Sequence, residues 1–430
     1  MTWKISELNE IAEYIGRGKS PVYDNESALP VLNQACIQHG RLDLSKLKFV
    51  SEAHFGSLDD QKKTRQGDIF VNSTGTGTLG RIAYWDSDTA IAYDGHVTLV
   101  RLYPEHEPKF FYYLLQAPEI QTHILNNCIS GSTNQVELSR EPFRRIQLRH
   151  PEDWQEQAAI AAILTTVDQA IAQTEALIAK QQRIKAGLLH DLLTRGIDDA
   201  GRLRDPATHR FKETAVGLVP VEWEVMRLSD ICEFASGGTP SRTVASYWNG
   251  SIPWVKTAEV DYCLITETEE YISESGLQNS SAKVFPKGTL LMAIYGEGVT
   301  RGKVALLGLD AATNQACLAF FPKPGLNSRF LFYWFTNAYT ELRELSHDGS
   351  QKNLSATLIG DTFVPIPITV EQENIVATIR EFEASLAREQ TQLAKLNRLK
   401  AGLMQDLLTG RVAVKKDEYH TPVQGDYEIC

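Results

Sequence analysis

IKAGLLHDLLTRG (184–196) and LKAGLMQDLLTGR (399–411) are near-copies, with Lys185 corresponding to Lys400 at an offset of 215. The offset holds without a gap back to Glu156-Gln157 against Glu371-Gln372. On the way it passes Ile160/Ile375, Ala179/Ala394, Lys180/Lys395 and Arg183/Arg398. Chance does not produce such a run. The chain carries an internal duplication, which governs every later step of the reading.

Outward from these segments the correspondence fades but persists. Trp3, Leu8, Ile11, Glu13 and Gly18 line up with Trp223, Leu228, Ile231, Glu233 and Gly238 at an offset of 220. GDIFVNSTGTG (67–77) matches GTLLMAIYGEG (288–298), and FFYYLL (110–115) matches FLFYWF (330–335). Gly131-Ser132 and Gly349-Ser350 each stand just ahead of a conserved segment. The order is globular part, helix, globular part, helix.

Apolar residues at 160, 164, 167, 171 and 178, and at 375, 379, 382, 386, 393 and 396, step by four and three. That is a heptad seam. Because both seams fall at equivalent repeat positions, the spacing predicts two long helices packed on each other, antiparallel since a whole domain intervenes. Thr174 and Glu389 occupy matching polar places in the seam and are candidates for fixing register. Asp153 is the expected N-cap of the first helix, with Glu156 as its capping-box partner. About forty residues at ~1.5 Å each make a spacer of roughly 60 Å. The competing use of such a seam is dimerisation between separate chains. The segment 196–223 is rich in charge and turn formers and is expected to be an irregular connector; the tail from Val412 to Cys430 is expected to be mobile.

With 430 residues, 43% hydrophobic and 23% charged, the chain is globular and longer than one core requires. Neither a signal pattern in MTWKISELNE nor a bilayer-length apolar run is present, so a cytoplasmic location without membrane contact is expected. Six scattered cysteines with no C-x-x-C pair read as reduced, mostly buried thiols. A formal charge of −11 argues against a simple DNA binder, yet Gln61–Arg65 and Arg140–Arg149 are locally basic, and a face can be basic on an acidic molecule.

Gly75-Thr76-Gly77-Thr78-Leu79-Gly80 is a literal G-x-G-x-x-G. A dinucleotide site needs that motif to open a helix, whereas Arg81–Trp85 alternates as a strand does. A phosphate loop of the G-x-x-x-x-G-K-S/T kind fails as well, because Arg81-Ile82 stands where Lys-Ser/Thr is needed. What remains, once per half, is strand, glycine-rich loop ending in a cation, strand: Gly80-Arg81 corresponds to Gly302-Lys303. Glycines allow close backbone approach, and loop amides with a cation suit a phosphate. A tight hairpin that merely needs glycine is the plainer use of the same pattern. No catalytic constellation is found: no Pro-Pro dipeptide for an amino-methyltransferase, no H-E-x-x-H and no G-x-S-x-G. The tryptophan- and tyrosine-bearing pairs Tyr84-Trp85, Tyr247-Trp248 and Tyr333-Trp334, with Trp254, are candidates for base stacking, though aromatics in strands are more often core.

The repeated helix ends, the connector RLRDPATHRFKETAVGLVPVEWEV, and SGGTPSR with YWNGSIPW (247–254) resemble the specificity subunits of type I restriction–modification systems, over nearly the whole chain. The resemblance implies an α+β chain of two pseudo-repeated α/β target-recognition domains, separated by two long helices forming an antiparallel coiled coil. The expected divisions are 1–151 and 221–368 for the domains, 152–196 and 369–411 for the helices, 197–220 for the connector and 412–430 for the tail. It further implies that each domain reads one half of a bipartite, asymmetric site in double-stranded DNA. The helices would set the gap and dock two methyltransferase subunits, with restriction (translocase/nuclease) subunits joining them. S-adenosylmethionine, ATP and Mg would belong to those partners, leaving this chain non-catalytic and free of metal and cofactor.

The expected DNA contacts in the first half are Lys19, Ser20, Asn72, Ser73, Thr74, Thr76, Thr78, Arg81, Thr133, Asn134 and Gln135. In the second half they are Thr239, Ser241, Arg242, Tyr295, Glu297, Thr300, Arg301, Lys303, Gln351, Lys352 and Asn353. Side chains of these types offer the donors and acceptors that base edges and phosphates require. A two-headed protein-binding scaffold is the rival reading. A self-contained enzyme using the glycine loops is a third.

Overall fold

The computed structural model describes residues 2–24, 26–131, 136–296, 298–345 and 353–414. It divides into two compact units, 1–175 with 391–430, and 176–390, so each long helix is shared between units rather than standing outside them. Among the described residues no helix is long and apolar enough to cross a membrane.

In the first unit an antiparallel sheet runs in the order Ala12–Arg17, Val97–Leu102, Ile69–Asn72, Ile82–Tyr84. The second unit repeats that order with Cys232–Ser236, Cys317–Pro322, Leu290–Ala293 and Val304–Leu307, and adds Leu264–Ile265 at the edge. A smaller sheet also recurs. Lys48–Val50, Leu29–Leu32 and Ala92–Tyr93 are matched by Glu270–Ile272, Trp248–Val255 and Ala311–Thr313. The central strands are buried on both faces, which is why they read as continuous apolar runs rather than alternating ones. The aromatic helices Pro108–Gln116 and Ser328–Asn337 cover one face of each larger sheet.

The long helices run Trp154–Thr194 and Thr369–Leu408. Burial along both follows the heptad positions, including Lys185 and Lys400 where the apolar series ends. In the first unit Ile160 and Leu164 share a core with Leu407 and Leu408; in the second, Leu192 and Leu193 share one with Ile375, Val376 and Ile379. Asp153 caps the first helix, its Oδ1 accepting the Gln155 amide at 2.9 Å. Thr174 spends its hydroxyl on the Ala170 carbonyl of its own helix at 2.8 Å, which gives no support to a role in register.

The attachment of domain to helix is repeated in three side-chain contacts. The Trp3 indole donates to Glu156 at 3.2 Å, and Trp223 to Glu371 at 3.1 Å. The Gln157 side chain takes the Glu107 amide and gives to the Pro151 carbonyl; Gln372 does the same with Asn327 and Pro367. Tyr113 donates to Asp168 at 2.9 Å, and Tyr333 to Glu383 at 2.7 Å. The Glu-Gln pair recurs in both copies because its carboxylate and amide satisfy the same buried or part-buried polar groups in each.

Two expectations are corrected here. The segment expected to be irregular carries a hairpin, Phe211–Thr214 with Gly217–Pro220, and it feeds Ile197, Val219 and the buried Arg204 into the second unit. Its polar composition hid this, because the partner of Arg204 is Glu371, 167 residues away. At the other end Val414 is buried in the first unit's core, while 415–430 lie outside the described residues. Of the five described cysteines only Cys263 is exposed, and none forms a disulfide; burial pushes the thiols of Cys232 and Cys317 up to about 12. Cys430 lies outside the described residues.

His150, fully buried, and His106 meet edge to face beneath the start of the first helix. Burial holds both imidazoles below the ordinary histidine value, and His150 depresses His106 further. The unfolded chain therefore binds more protons below about pH 6.5 than the folded one. Stability of the first unit is expected to be insensitive to these groups above that pH and to fall as the pH drops through it. Unfolding midpoints in urea at about pH 7.5 and about pH 5.5 check this; a midpoint unchanged on acidification counts against it.

Candidate nucleic-acid interface

Strands Ile69–Asn72 and Ile82–Tyr84 pair antiparallel, so the glycine-rich segment between them is a hairpin loop, as its period-two flanks required. Asn72 donates its side-chain amide to the Thr78 carbonyl at 3.1 Å. The Ser73 amide donates to His96 at 2.8 Å, and its carbonyl accepts from Leu138 at 2.8 Å. Gly75 sits at φ +95, where a Cβ would lie 2.7 Å from Thr78 Oγ1; only glycine turns the chain there. Thr78 Oγ1 in turn donates to the Thr74 carbonyl at 3.0 Å. Arg81 folds back on the loop, to the Gly77 carbonyl at 3.2 Å and Gln38 at 3.3 Å.

Asn72 and Ser73 are fully buried, so their place among the expected contacts is corrected: they build the loop and offer no surface to a duplex. Thr76 is exposed at the tip. Thr74 donates its hydroxyl to Gln34 Oε1 at 2.9 Å and lies 3.1 Å from His96 Nδ1. A hydroxyl has one proton, so donation to Gln34 leaves it an acceptor toward His96.

Three segments singled out in the sequence converge on the turn Asp94-Gly95-His96. Gly18 donates to the Val97 carbonyl at 3.1 Å, and a Cβ on Gly95 would lie 3.3 Å from Ser20 Oγ. Lys19 is exposed and donates to Ser57 at 3.1 Å. The segment after Gly131 returns beside the loop, with Thr74 bridged to Glu137. Thr133, Asn134 and Gln135 themselves lie outside the described residues. The turn is held by Asp94, which accepts the His96 amide at 2.9 Å; burial raises its pKa and that amide partly offsets the rise. Gln34 and His96, both exposed, were missed, although Asp94-Gly95 is an ordinary turn signal.

The second unit repeats the ladder. Ala293 accepts from the Gly302 amide and donates to the Lys303 carbonyl, as Asn72 does with Gly80 and Arg81; Ile294 donates to Ala316, and Leu354 donates to Ile294. Different side chains ride on this same backbone. Tyr295 is 43% exposed, and Thr239 donates to Gln315 at 2.5 Å. Thr300 and Asn353 are half-buried, and Ser241 bonds Thr243 at 2.9 Å. Arg242 lies 3.6 Å above the Trp248 ring and pairs with Glu270 at 2.5 Å, which holds that carboxyl below its usual range.

Of two further cations, one is buried and the other is ion-paired. Arg301 is buried, donating to the Arg343 carbonyl at 3.4 Å, which corrects its place among the contacts; burial and then the Arg343 charge lower its pKa. Lys303 pairs with Asp261 at 2.6 Å. Glu297, Gln351 and Lys352 lie outside the described residues. Of the aromatic candidates, Trp85, Trp254, Tyr333 and Trp334 are buried in cores, Trp254 donating to the Gly238 carbonyl at 2.9 Å. Among the described residues no group of three or more His, Cys, Asp or Glu is placed to hold a metal ion.

Comparison with known proteins gives one answer. A family model described as the type I restriction modification DNA specificity domain matches residues 1–183 and 220–398. The MjaIX specificity subunit of Methanocaldococcus jannaschii is 30% identical over 224 residues, 51% of each chain. The putative MjaX specificity subunit of the same organism is 22% identical over 96% of this chain and 94% of its own. Among solved structures, the S subunit of a type I system from M. genitalium superposes with a TM-score of 0.57 at 16% identity, over 95% of this chain and 96% of the other. A chain from a type I system solved to explain complex assembly and conformational transition gives 0.58 at 17%, over 95% and 98%.

Proposed function

Because the chain belongs to the type I restriction–modification DNA specificity family and is a specificity subunit, which leaves catalysis to others, we propose that each unit reads one half of a bipartite, asymmetric target in double-stranded DNA. The observation that carries the reading is one backbone ladder built twice with different exposed side chains on it. The first unit presents Gln34, Thr74, Thr76 and His96; the second presents Thr239, Arg242, Tyr295 and Gln315. A shared scaffold with unlike donors and acceptors suits two unlike half-sites.

The long helices act as the ruler between half-sites, as an antiparallel pair. In the first unit Lys400 bonds Asp168 at 2.7 Å, and in the second Lys185 bonds Glu383 at 2.8 Å. The residue numbers in the two pairs add to the same total, which supports an antiparallel register. These are the lysines of the repeated Lys-Ala-Gly-Leu block, which explains why the helix ends kept their sequence. The helices also dock two methyltransferase subunits, joined by restriction subunits; S-adenosylmethionine, ATP and Mg are held by those partners.

Inserting one heptad into both helices, after Glu175 and after Gln390, tests the ruler. The gap is expected to widen by about 10 Å, or about three base pairs, with the bases of both half-sites unchanged. Methylome sequencing of a host carrying the complete system reads gap and bases together. Altered bases at an unchanged gap would sink the mechanism.

A further inference from the structure

The two basic clusters noted in the sequence, around Lys62 and Arg140, are far apart in the chain, yet each sends one cation to the same cavity of the first unit. The cavity is about 490 Å3 and is lined by Arg17, Lys62 and Arg140, with the hydroxyl-bearing Tyr14, Ser130 and Ser139 among its walls. No carboxylate is among the residues that line it; the exposed Glu137, beside the lining residue Leu138, bonds Arg17 at 2.9 Å. Backbone carbonyls hold the cations in place. Lys62 donates to Arg17 at 2.5 Å, Arg17 to Leu138 at 2.9 Å, and Arg140 to Ile15 at 3.3 Å. An ammonium has three N–H donors and a guanidinium five, so each cation keeps donors for a ligand.

The second unit supplies an internal control. It builds the same sheet with Ser236 where Arg17 stands and Ala356 where Arg140 stands, and of the three cations Lys62 alone has a basic counterpart, Lys283. The fold therefore does not need this charge. On a chain of net charge −11, a preorganised cluster of cations calls for a ligand that is an anion.

We propose that the Arg17–Lys62–Arg140 cavity is a phosphate site, and that the phosphate it takes belongs to the backbone of the bound DNA. This rests on the DNA-reading function above. Position favours the backbone source: Glu137 and Leu138, at the cavity's edge, are paired to Thr74 and Ser73 of the reading loop. The first unit thus has a sequence-independent anchor beside its base-reading groups, whereas the second, among the described residues, lacks basic counterparts of Arg17 and Arg140.

The test uses the full chain, wild type and with K62Q, R140Q or both. Arg17 is spared because it holds the Leu138 segment, and thermal melting confirms folding. Binding of target and scrambled duplexes is measured between about 50 and 200 mM salt, and inorganic phosphate is titrated separately. The expected result is weaker binding of every duplex by a similar factor, recognised bases unchanged, and a salt slope shallower by about 0.9 per lost contact. Loss of phosphate binding with an unchanged salt slope overturns the backbone source and assigns the cavity to a free phosphate compound. No effect in either assay overturns the site. Relaxed specificity at one base position also overturns it, because the residues would then be base readers. If wild-type chain fails to discriminate its target, the DNA-reading function fails instead, and the phosphate titration still decides the cavity.

Discussion

Replacing Glu371 by Ala is expected to cost about 3–5 kcal/mol. Glu371 sits in the first turn of the C-terminal helix, where its charge also complements the helix dipole. Both of its oxygens are taken by the Arg204 guanidinium, with Nη2–Oε2 at 3.1 Å. The Trp223 indole adds a bond at 3.1 Å and the Ile197 amide one at 3.0 Å. Side-chain exposure is 9% for Arg204 and 7% for Glu371, so water cannot replace the lost carboxylate. Alanine would leave a buried cation and two buried N–H groups unsatisfied. In the first unit Glu156 holds the matching place and bonds Trp3, with no guanidinium on it among the described residues. Glu156→Ala is accordingly expected to cost only about 1–3 kcal/mol. Hydrogen exchange by mass spectrometry separates the two, since E371A should lower protection within 176–390 and E156A within the other unit. Equal losses in both variants would refute the account.

Asp68→Ala should be nearly as damaging in the first unit, at about 3–5 kcal/mol, while a double substitution at the same pair should be far milder. Asp68 and Arg101 form a two-bond pair at 2.8 and 2.7 Å, with side-chain exposures of 1% and 7%. Arg101 also braces the Lys63 carbonyl at 3.0 Å, tying the basic segment to the sheet that carries the reading loop. Removing the carboxylate strands the guanidinium. The second unit shows an alternative filling for the same strands: Thr289 stands where Asp68 does and Phe321 where Arg101 does, with Phe321 packed on Phe285. Asp68→Thr with Arg101→Phe removes both charges together, and replacing a buried ion pair by apolar volume is often close to neutral. Chemical denaturation of the single and double variants checks this. A double variant no more stable than D68A would mean that the pair sets the geometry of the first unit rather than merely satisfying itself.

Much of the fold was legible. The duplication told that two alike units exist, and the seam at 160, 164, 167 and 171 marked the buried stripe of a helix, because a 3.5-residue period survives in sequence whatever the neighbours are. The glycine loops were legible for a similar reason: Gly75 and Gly80 adopt backbone angles that other residues avoid, so the turn is written in residue type. Less of the candidate site was readable. Asn72 and Ser73 look like loop-tip polar residues, yet the strand and its hydrogen-bond ladder extend through them and bury both. Gln34 comes to Thr74 from a short 3-10 helix and His96 from a turn, and nothing near either in the chain announces the meeting. The hairpin within 211–220 was hidden by its polar surface.

Local periodicity and the torsional limits of glycine act within a few residues, and so the linear order alone determined the repeat, the long helices and the hairpin loops. Which polar side chains face water was decided by tertiary structure, as was the meeting of Lys62 with Arg140 in one cavity. Burial and charge balance are set by atoms that the fold brings from scores of residues away. A string of residues does not state those distances until it is folded.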